Sequence, residues 1–298
     1  MTDSTPDVTA LLDSWELDLK TQKKSPHTIG SYLDGVTAYL RWCDRNERPR
    51  AMDKTALKLF MVDLQERKAA DSTVYSRFTS CRIFAKWLVT ENELDADPFD
   101  GMTPPAIDEQ LVDPLSDEEI KAMIKACDGG QFTDRRDEAI IRFMVESAAR
   151  AREVARMLLK ETKVIEGTAV IRGKGGKERL VPFSPFTARA IDRYLRLRRL
   201  HPLAATDRLW LGGKGKTFDY PGLYYTLGQR AETAGVIDFH PHRLRHTGAD
   251  RWLAAGGTEG GLMTVAGWDS EAMLRRYTKR RSAIRALEEA QRLNLGEF

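Results

Sequence analysis

The sequence predicts a mainly α-helical protein of two domains carrying one small β-hairpin or sheet. Three observations lead there. Apolar residues recur at helical spacing through about the first 90 residues. A proline-rich stretch then ends in a capping box at Ser116, and two β-prone segments later flank a glycine-rich turn. At 298 residues the chain is long enough for two cores of ordinary size.

Taken in order, Val8, Leu11, Leu12, Trp15 and Leu19 mark a first helix. Ser25 offers a capping hydroxyl before Pro26, whose fixed φ suits the first helical position; Ile29, Tyr32, Leu33, Val36, Leu40 and Cys43 then give a second helix one buried face. Leu57, Phe60, Met61 and Leu64 mark a third, and Val74, Phe78, Cys81, Phe84, Trp87 and Leu88 a fourth. Pro98, Pro104, Pro105, Pro114 and Gly101 suit an extended linker over residues 98–115, so one domain is expected over 1–97 and a second over 116–298. Ser116 with Glu119 opens the second domain as a capping box, and Ile120, Met123 and Ile124, then Ile140, Ile141, Phe143 and Met144, continue it as helix. Helical periodicity gives way to strand signals at Thr168–Arg172 and Glu178–Phe183, joined by Gly173-Lys174-Gly175-Gly176-Lys177, where glycines can take positive φ. A basic helix around Ile191–Leu200 and a glycine-rich loop follow, with Tyr220, Tyr224 and Tyr225 in a loop-like stretch, Tyr194 in the core, and His27 and His201 at the surface.

Composition excludes several classes. Hydrophobic residues make up 42% and charged residues 31%, as in a soluble globular protein. No apolar run approaches the ~20 residues of a membrane span, and Met1-Thr2-Asp3-Ser4 opens no signal peptide, so a cytoplasmic location is expected. Cys43, Cys81 and Cys127 stand singly, which suits buried thiols rather than disulfides or a zinc knuckle. The net charge of +3 hides an asymmetry: residues 1–112 hold 14 Lys/Arg against 19 Asp/Glu, and residues 113–298 hold 33 against 25. The basic second part favours a polyanion.

The chemistry-bearing stretch is His240-Pro241-His242-Arg243-Leu244-Arg245-His246, followed by Ala266-Gly267-Trp268 and Tyr277. His242 and Arg245 share one helical face at i, i+3, and the guanidinium fork matches phosphate oxygens. A phenol, with a pKa of about 10, becomes a nucleophile only beside cations that stabilise its anion. The three histidines also resemble a zinc pattern, but no carboxylate shares their register and Arg245 would repel a dication, so no metal is expected.

His-x-x-Arg, then Gly-Trp, then a tyrosine nine residues after Trp268 (277 − 268 = 9) resembles the C-terminal signature of the tyrosine recombinases, the phage integrase family. Glu146 to Val154 resembles that family's first box, with Arg150 at its arginine and Glu153 at its carboxylate; it departs in having Ala148 for the usual Gly and Ser147 for the usual Thr. A glycine at 148 would allow close backbone approach, and a methyl group could shift Arg150. Lys174 matches the family's hairpin lysine at the usual spacing (174 − 150 = 24), and Ser25, Pro26, Thr28 and Tyr32 match the entry to its helical core-binding domain.

The resemblance implies a C-shaped clamp of a helical core-binding domain and a mixed, mostly helical α/β catalytic domain. It implies that Tyr277 attacks a phosphodiester, that Arg150, Arg245, His242 and Trp268 bind the phosphate, that Lys174 protonates the leaving oxygen, and that Glu153 and His246 support them. Lys23, Lys24, Arg77, Arg82 and Lys86 would meet DNA backbone. No cofactor, metal or ATP is implied. The implied partners are double-stranded DNA with a paired inverted-repeat core site, a homotetramer on two synapsed sites formed from free monomers, and an accessory directionality protein. The absence of an arm-binding domain before Val8 points to a short integrase or a resolving enzyme of a chromosome, phage or plasmid. Ser282–Leu295, with Ile284, Leu287, Ala290 and Leu293 along one face, is expected to form an amphipathic helix. Two other readings are a DNA-binding protein with impaired catalysis and a type IB topoisomerase-like relaxing enzyme.

Overall fold

The computed structural model describes residues 7–107, 113–270, 274, 286–287 and 289–293, with the backbone alone at Lys174. The chain divides into two compact units, Met1–Gln110 and Leu111–Phe298.

The first unit is helical: a 3₁₀ turn at Val8–Leu11 runs into α1 (Leu12–Thr21), followed by α2 (Pro26–Arg45), α3 (Lys54–Glu66) and α4 (Asp71–Thr90). The Ser25 hydroxyl accepts from the Thr28 amide at 3.1 Å, and so starts α2 where its sequence announces it. Trp15, Tyr39, Leu57, Phe60, Phe78, Phe84 and Leu88 form the core, which also takes in Phe99. Where α2 and α4 cross, a Cβ at Gly35 would lie 2.2 Å from Ser80 Cβ, so the approach requires the glycine.

The second unit begins at the predicted capping box, with Glu119 N donating to Ser116 Oγ and Ser116 N to Glu119 Oε2. It contains α5 (Asp117–Lys125), α6 (Phe132–Ser147), the short α7 (Ala151–Ala155), β1 (Thr162–Lys163), β2 (Thr168–Arg172), β3 (Glu178–Pro182), α8 (Pro185–Arg198), α9 (Tyr220–Thr233), α10 (Pro241–Ala254) and α11 (Glu259–Ala266). The predicted hairpin forms, Thr168 pairing with Pro182 and Arg172 with Glu178, and β1 adds a third antiparallel strand beside β2. No helix among the described residues is long and apolar enough to cross a membrane.

Two expectations are corrected here. Tyr220, Tyr224 and Tyr225 lie in α9, whose Asp219 cap accepts from the Gly222 amide and whose Leu223, Leu227 and Ala231 are buried along one stripe. The helix has a narrow apolar face, and Pro221 with Gly222 gives it a turn-like start. A buried ion-pair network holds it to α6: Arg230 reaches Asp134 and Asp137, Thr226 donates to Asp137, and Arg136 pairs with Asp137 while donating to Thr226. His201 is buried rather than at the surface, with Nε2 2.8 Å from Gly212 O, Nδ1 accepting from the Leu203 amide and the ring stacked on Phe132. Tyr194 is fully buried, as its spacing predicts.

Candidate active site

α6 ends at Ala148, whose φ of +48° and ψ of +25° are left-handed, and the chain then turns through Ala149 into α7, with Arg150 as the N-cap residue. Ala148 packs with Leu253, Leu262, Ala266 and Trp268 in a small apolar cluster. α10 lies directly on this turn: a Cβ at Gly248 would come within 2.8 Å of Val145 O and 3.0 Å of Ala148 N. Glu146, two residues before Ala148, accepts from Ser184 N, Ser184 Oγ and Thr187 Oγ1 at 2.7, 2.6 and 2.9 Å, which ties the end of α6 to the start of α8. A carboxylate at a helix N-terminus is favourably placed for the helix dipole.

α11 ends at Gly267, whose φ of +66° suits glycine. Its last three carbonyls are taken by arginines from three different elements. Arg179 Nε on β3 donates to Val265 O at 2.7 Å, Arg245 Nη1 on α10 to Ala266 O at 3.1 Å, and Arg150 Nη2 to Gly267 O at 3.2 Å. Cations are stabilised at the negative end of a helix, so this turn acts as a template that gathers guanidinium groups. Arg245 Nη1 also donates to Ala148 O at 2.6 Å, and so caps α6 and α11 together. Its Cζ lies 5.4 Å from the centroid of the Trp268 ring, which is 4% exposed.

Glu153 is 7% exposed and joins the set from α7. Its Oε1 accepts from Arg150 Nη1 at 2.9 Å, and its Oε2 from Arg150 N at 3.1 Å and Arg179 Nη2 at 2.6 Å. Burial alone pushes this carboxyl up, but the hydrogen bonds and charge of Arg179, joined by Arg150, outweigh it and hold Glu153 below the usual range.

His242 stands in the first turn of α10 and is open to solvent on one side. The protein around its ring, with the charges of Arg245, His240 and Arg150, holds its imidazole below the ordinary value. His246 is half-buried one turn on. A cleft of about 540 Å³ opens between the hairpin and the end of α11, lined by Arg150, Gly173, Lys177, Arg179, Gly267 and Trp268. The exposed Lys177–Asp269 pair, at 3.0 Å, lies on it. A larger cavity, of about 880 Å³, sits at the other end of α6 beside Phe132, and the one histidine on it, His201, already has both ring nitrogens engaged.

Of the predicted residues, the structure brings together Arg150, Glu153, His242, Arg245 and Trp268. Lys174 has its backbone in the 3₁₀ turn between β2 and β3, and its side chain lies outside what is described. Tyr277 also lies outside the described residues. Of the predicted DNA contacts in the first unit, Lys23 and Lys24 are in the turn before α2, while Arg77, Arg82 and Lys86 are on α4. Arg82 and Lys86 share a stripe at i, i+4, but Arg77 is rotated about 140° from Arg82 and lines a groove with His27 and Ser31 of α2. The sequence reading missed Arg179 and Glu146. For Arg179 a signal existed, because strand alternation puts it on the same side of β3 as the buried Val181, with Leu180 60% exposed on the other.

A phage integrase family model matches residues 114–283, and a phage integrase N-terminal SAM-like domain model matches residues 11–94. The chain belongs to the phage integrase family. Similar proteins include tyrosine recombinase XerC of Staphylococcus epidermidis, 27% identical over 263 residues that cover 87% of this chain and 89% of the relative. XerC of Bacillus licheniformis is 25% identical over 261 residues, covering 85% and 86%. Among solved structures, XerH site-specific recombinase bound to palindromic difH substrate shares the fold at a TM-score of 0.73 and 20% identity, covering 95% of this chain and 83% of that one. A lambda integrase tetramer bound to a Holliday junction does so at a TM-score of 0.72 and 11% identity, covering 92% and 78%.

Proposed function

We infer that this integrase-family chain is a tyrosine-type site-specific DNA recombinase, which cuts and rejoins duplex DNA through a 3′-phosphotyrosyl link. The observation that carries the reading is the α11 turn. Arg150 and Arg245, the two arginines that the motifs mark as phosphate ligands, donate to adjacent carbonyls of that turn, beside Trp268 and with His242 close enough to feel both charges.

Phosphoryl transfer asks for positioning and positive charge more than for covalent work by the protein. Tyr277 Oη attacks phosphorus and the bond to the 5′ oxygen breaks, so the tyrosine holds the 3′ phosphate. His242, kept neutral by its surroundings, accepts the phenol proton. Lys174 gives a proton to the departing 5′ oxygen, a role worth about 10² to 10⁴ in rate. Arg150, Arg245, His242 and the Trp268 indole N–H bind the non-bridging oxygens. The indole donates but cannot shuttle a proton, which leaves proton transfer to His242 and Lys174. Glu153 orients Arg150, and His246 supports His242 from the next turn. A 5′-hydroxyl of a partner strand then attacks the phosphotyrosine, and the first exchange yields a Holliday junction. The phosphotyrosine conserves the energy of the broken bond, so the exchange requires no ATP, and the site's own cations take the charge-neutralising part a metal ion would play.

Residues 1–97 serve as the core-binding domain, residues 98–115 as the linker and residues 116–298 as the catalytic domain. Lys23, Lys24, Arg77, Arg82 and Lys86 meet the duplex backbone. The partner is duplex DNA with a paired inverted-repeat core site, and the working form is a homotetramer on two such sites in the cytoplasm. The relatives' names favour recombination over simple relaxation or catalytically silent binding.

The test is a suicide duplex, nicked near a candidate crossover site taken from DNA flanking the gene, incubated with the protein in chelator and run on a denaturing gel. A shifted band that disappears in Tyr277→Phe is the expected result. Binding without a covalent band on the correct site would leave DNA binding as the function.

A further inference from the structure

Arg179 takes no part in the steps above, yet its side chain is only 10% exposed and every acceptor it meets belongs to the site. It extends from β3, the strand that follows the Lys174 turn. Its Nε holds Val265 O at 2.7 Å on α11, and its Nη2 holds Glu153 Oε2 at 2.6 Å on α7. One planar fork therefore fixes three elements relative to one another, which a point-charge ammonium cannot do. The fit is close: a Cβ at Gly267 would lie 2.9 Å from Arg179 Cζ, so the α11 turn rests directly against the guanidinium.

Arg150 depends on this arrangement. Its side chain is 33% exposed, and its guanidinium is oriented by Glu153 Oε1 on one side and Gly267 O on the other. Glu153 is in turn held by Arg179, and Gly267 is the residue packed on Arg179. Both supports of Arg150 therefore trace back to the same side chain.

We propose that Arg179 is a positioning residue for phosphoryl transfer, holding Arg150 in its working orientation through Glu153 and the last turn of α11; this rests on the recombinase reading above. Without the fork, Glu153 keeps only Arg150 as its partner, through the amide and one guanidinium N–H; the carboxylate loses its anchor to β3, and the Arg150 guanidinium moves with it.

The test uses the full chain in three measurements: single-turnover covalent complex formation on the nicked duplex, duplex affinity, and Tm. Arg179→Met keeps most of the volume and removes the fork. Its cleavage rate is expected to fall about a hundredfold, the cost of a displacement of about 1 Å at a reacting centre, with duplex affinity unchanged. Arg179→Lys, which can reach either acceptor but not both, should fall between it and the wild type. The double variant Arg179→Met with Glu153→Gln removes the buried carboxylate that keeps only Arg150 as its partner, so its Tm should recover while its rate stays low. Recovery of the rate together with Tm in the double variant overturns the proposal. So does an Arg179→Met rate equal to wild type while the wild type cleaves normally, a result that leaves the recombinase reading intact. If Arg179→Met does not fold, Arg179→Lys decides: a lowered rate at wild-type Tm supports the role, and a wild-type rate removes it. A wild-type chain that binds the correct duplex but never links to it overturns the recombinase reading itself.

Discussion

Ala148 occupies a left-handed position with its methyl packed beside Trp268, and two opposing energies meet there. The left-handed conformation costs an alanine about 1–2 kcal/mol. Against that, the buried methyl contributes about 0.8 kcal/mol, and a glycine would lose a further ~0.5–1 kcal/mol of chain entropy on folding. The terms nearly cancel. Ala148→Gly should therefore shift Tm by less than about 3 °C, and calorimetry checks it. A β-branched side chain at the same φ adds about 1–3 kcal/mol of strain, so Ala148→Val should melt clearly lower. The Arg245 bond to Ala148 O and the Arg150 bond to Gly267 O both form with alanine in place, so the turn tolerates the departure from the family pattern. His242 gives a second prediction at this scale. Burial, then Arg245, His240 and Arg150, hold its folded pKa below the ordinary imidazole value of about 6.5. Above that value the folded and unfolded forms are both neutral and the group contributes nothing to pH dependence. As pH falls below it the unfolded chain takes the proton first, and stability declines until the pH has passed the folded value. As a base, neutral His242 persists to lower pH than a free imidazole does, so the acid limb of single-turnover cleavage should lie below about pH 6.5. An acid limb above that value would remove His242 from the role.

Whole elements meet with little tolerance at the α2–α4 crossing. Gly35 lets the two helices approach until a Cβ there would overlap Ser80 Cβ at 2.2 Å, and Ser80 Oγ donates to Ser76 O on its own helix. Gly35→Ala gains helix propensity but forces the pair apart in a packed core, at about 1–3 kcal/mol. Denaturant melts should show that loss, and adding Ser80→Gly should return part of it; a Gly35→Ala chain as stable as wild type would mean the helices separate freely. α9 shows the opposite case, a helix whose place is set by charge. Its narrow apolar stripe of Leu223, Leu227 and Ala231 is supplemented by the Arg230, Asp134, Asp137 and Arg136 network, which can be recognised only when α6 lies alongside.

Across the whole molecule the charge is uneven: the first 112 residues carry five more acidic than basic residues (19 − 14), and the remainder carries eight more basic than acidic (33 − 25). Contact with several phosphates releases counterions, so affinity for duplex should fall by about 10³-fold or more between about 50 mM and about 200 mM salt. Fluorescence anisotropy across a salt series measures the slope, and a flat slope would speak against backbone contacts as the main source of affinity.

By itself, the sequence determined the helix starts at Ser25 and Ser116 and the hairpin between Thr168 and Phe183, and it marked Arg150, Glu153, His242, Arg245 and Trp268 as candidates for one site. Those features are local: a cap is read within four residues, a hairpin within about fifteen, and the motif by short fixed spacings. Tertiary structure alone decided why these side chains stand where they do. The motif marks Gly267 and Trp268 but says nothing of the carbonyls of Val265, Ala266 and Gly267, which become a guanidinium template only when β3, α10 and α7 converge on the end of α11. Arg179 could be assigned to the inner face of its strand from alternation, but not to Glu153, because a separation of 26 positions along the chain says nothing about that meeting. The burial of His201 likewise depends on Gly212 and Phe132, both distant in sequence and both brought to it by the fold.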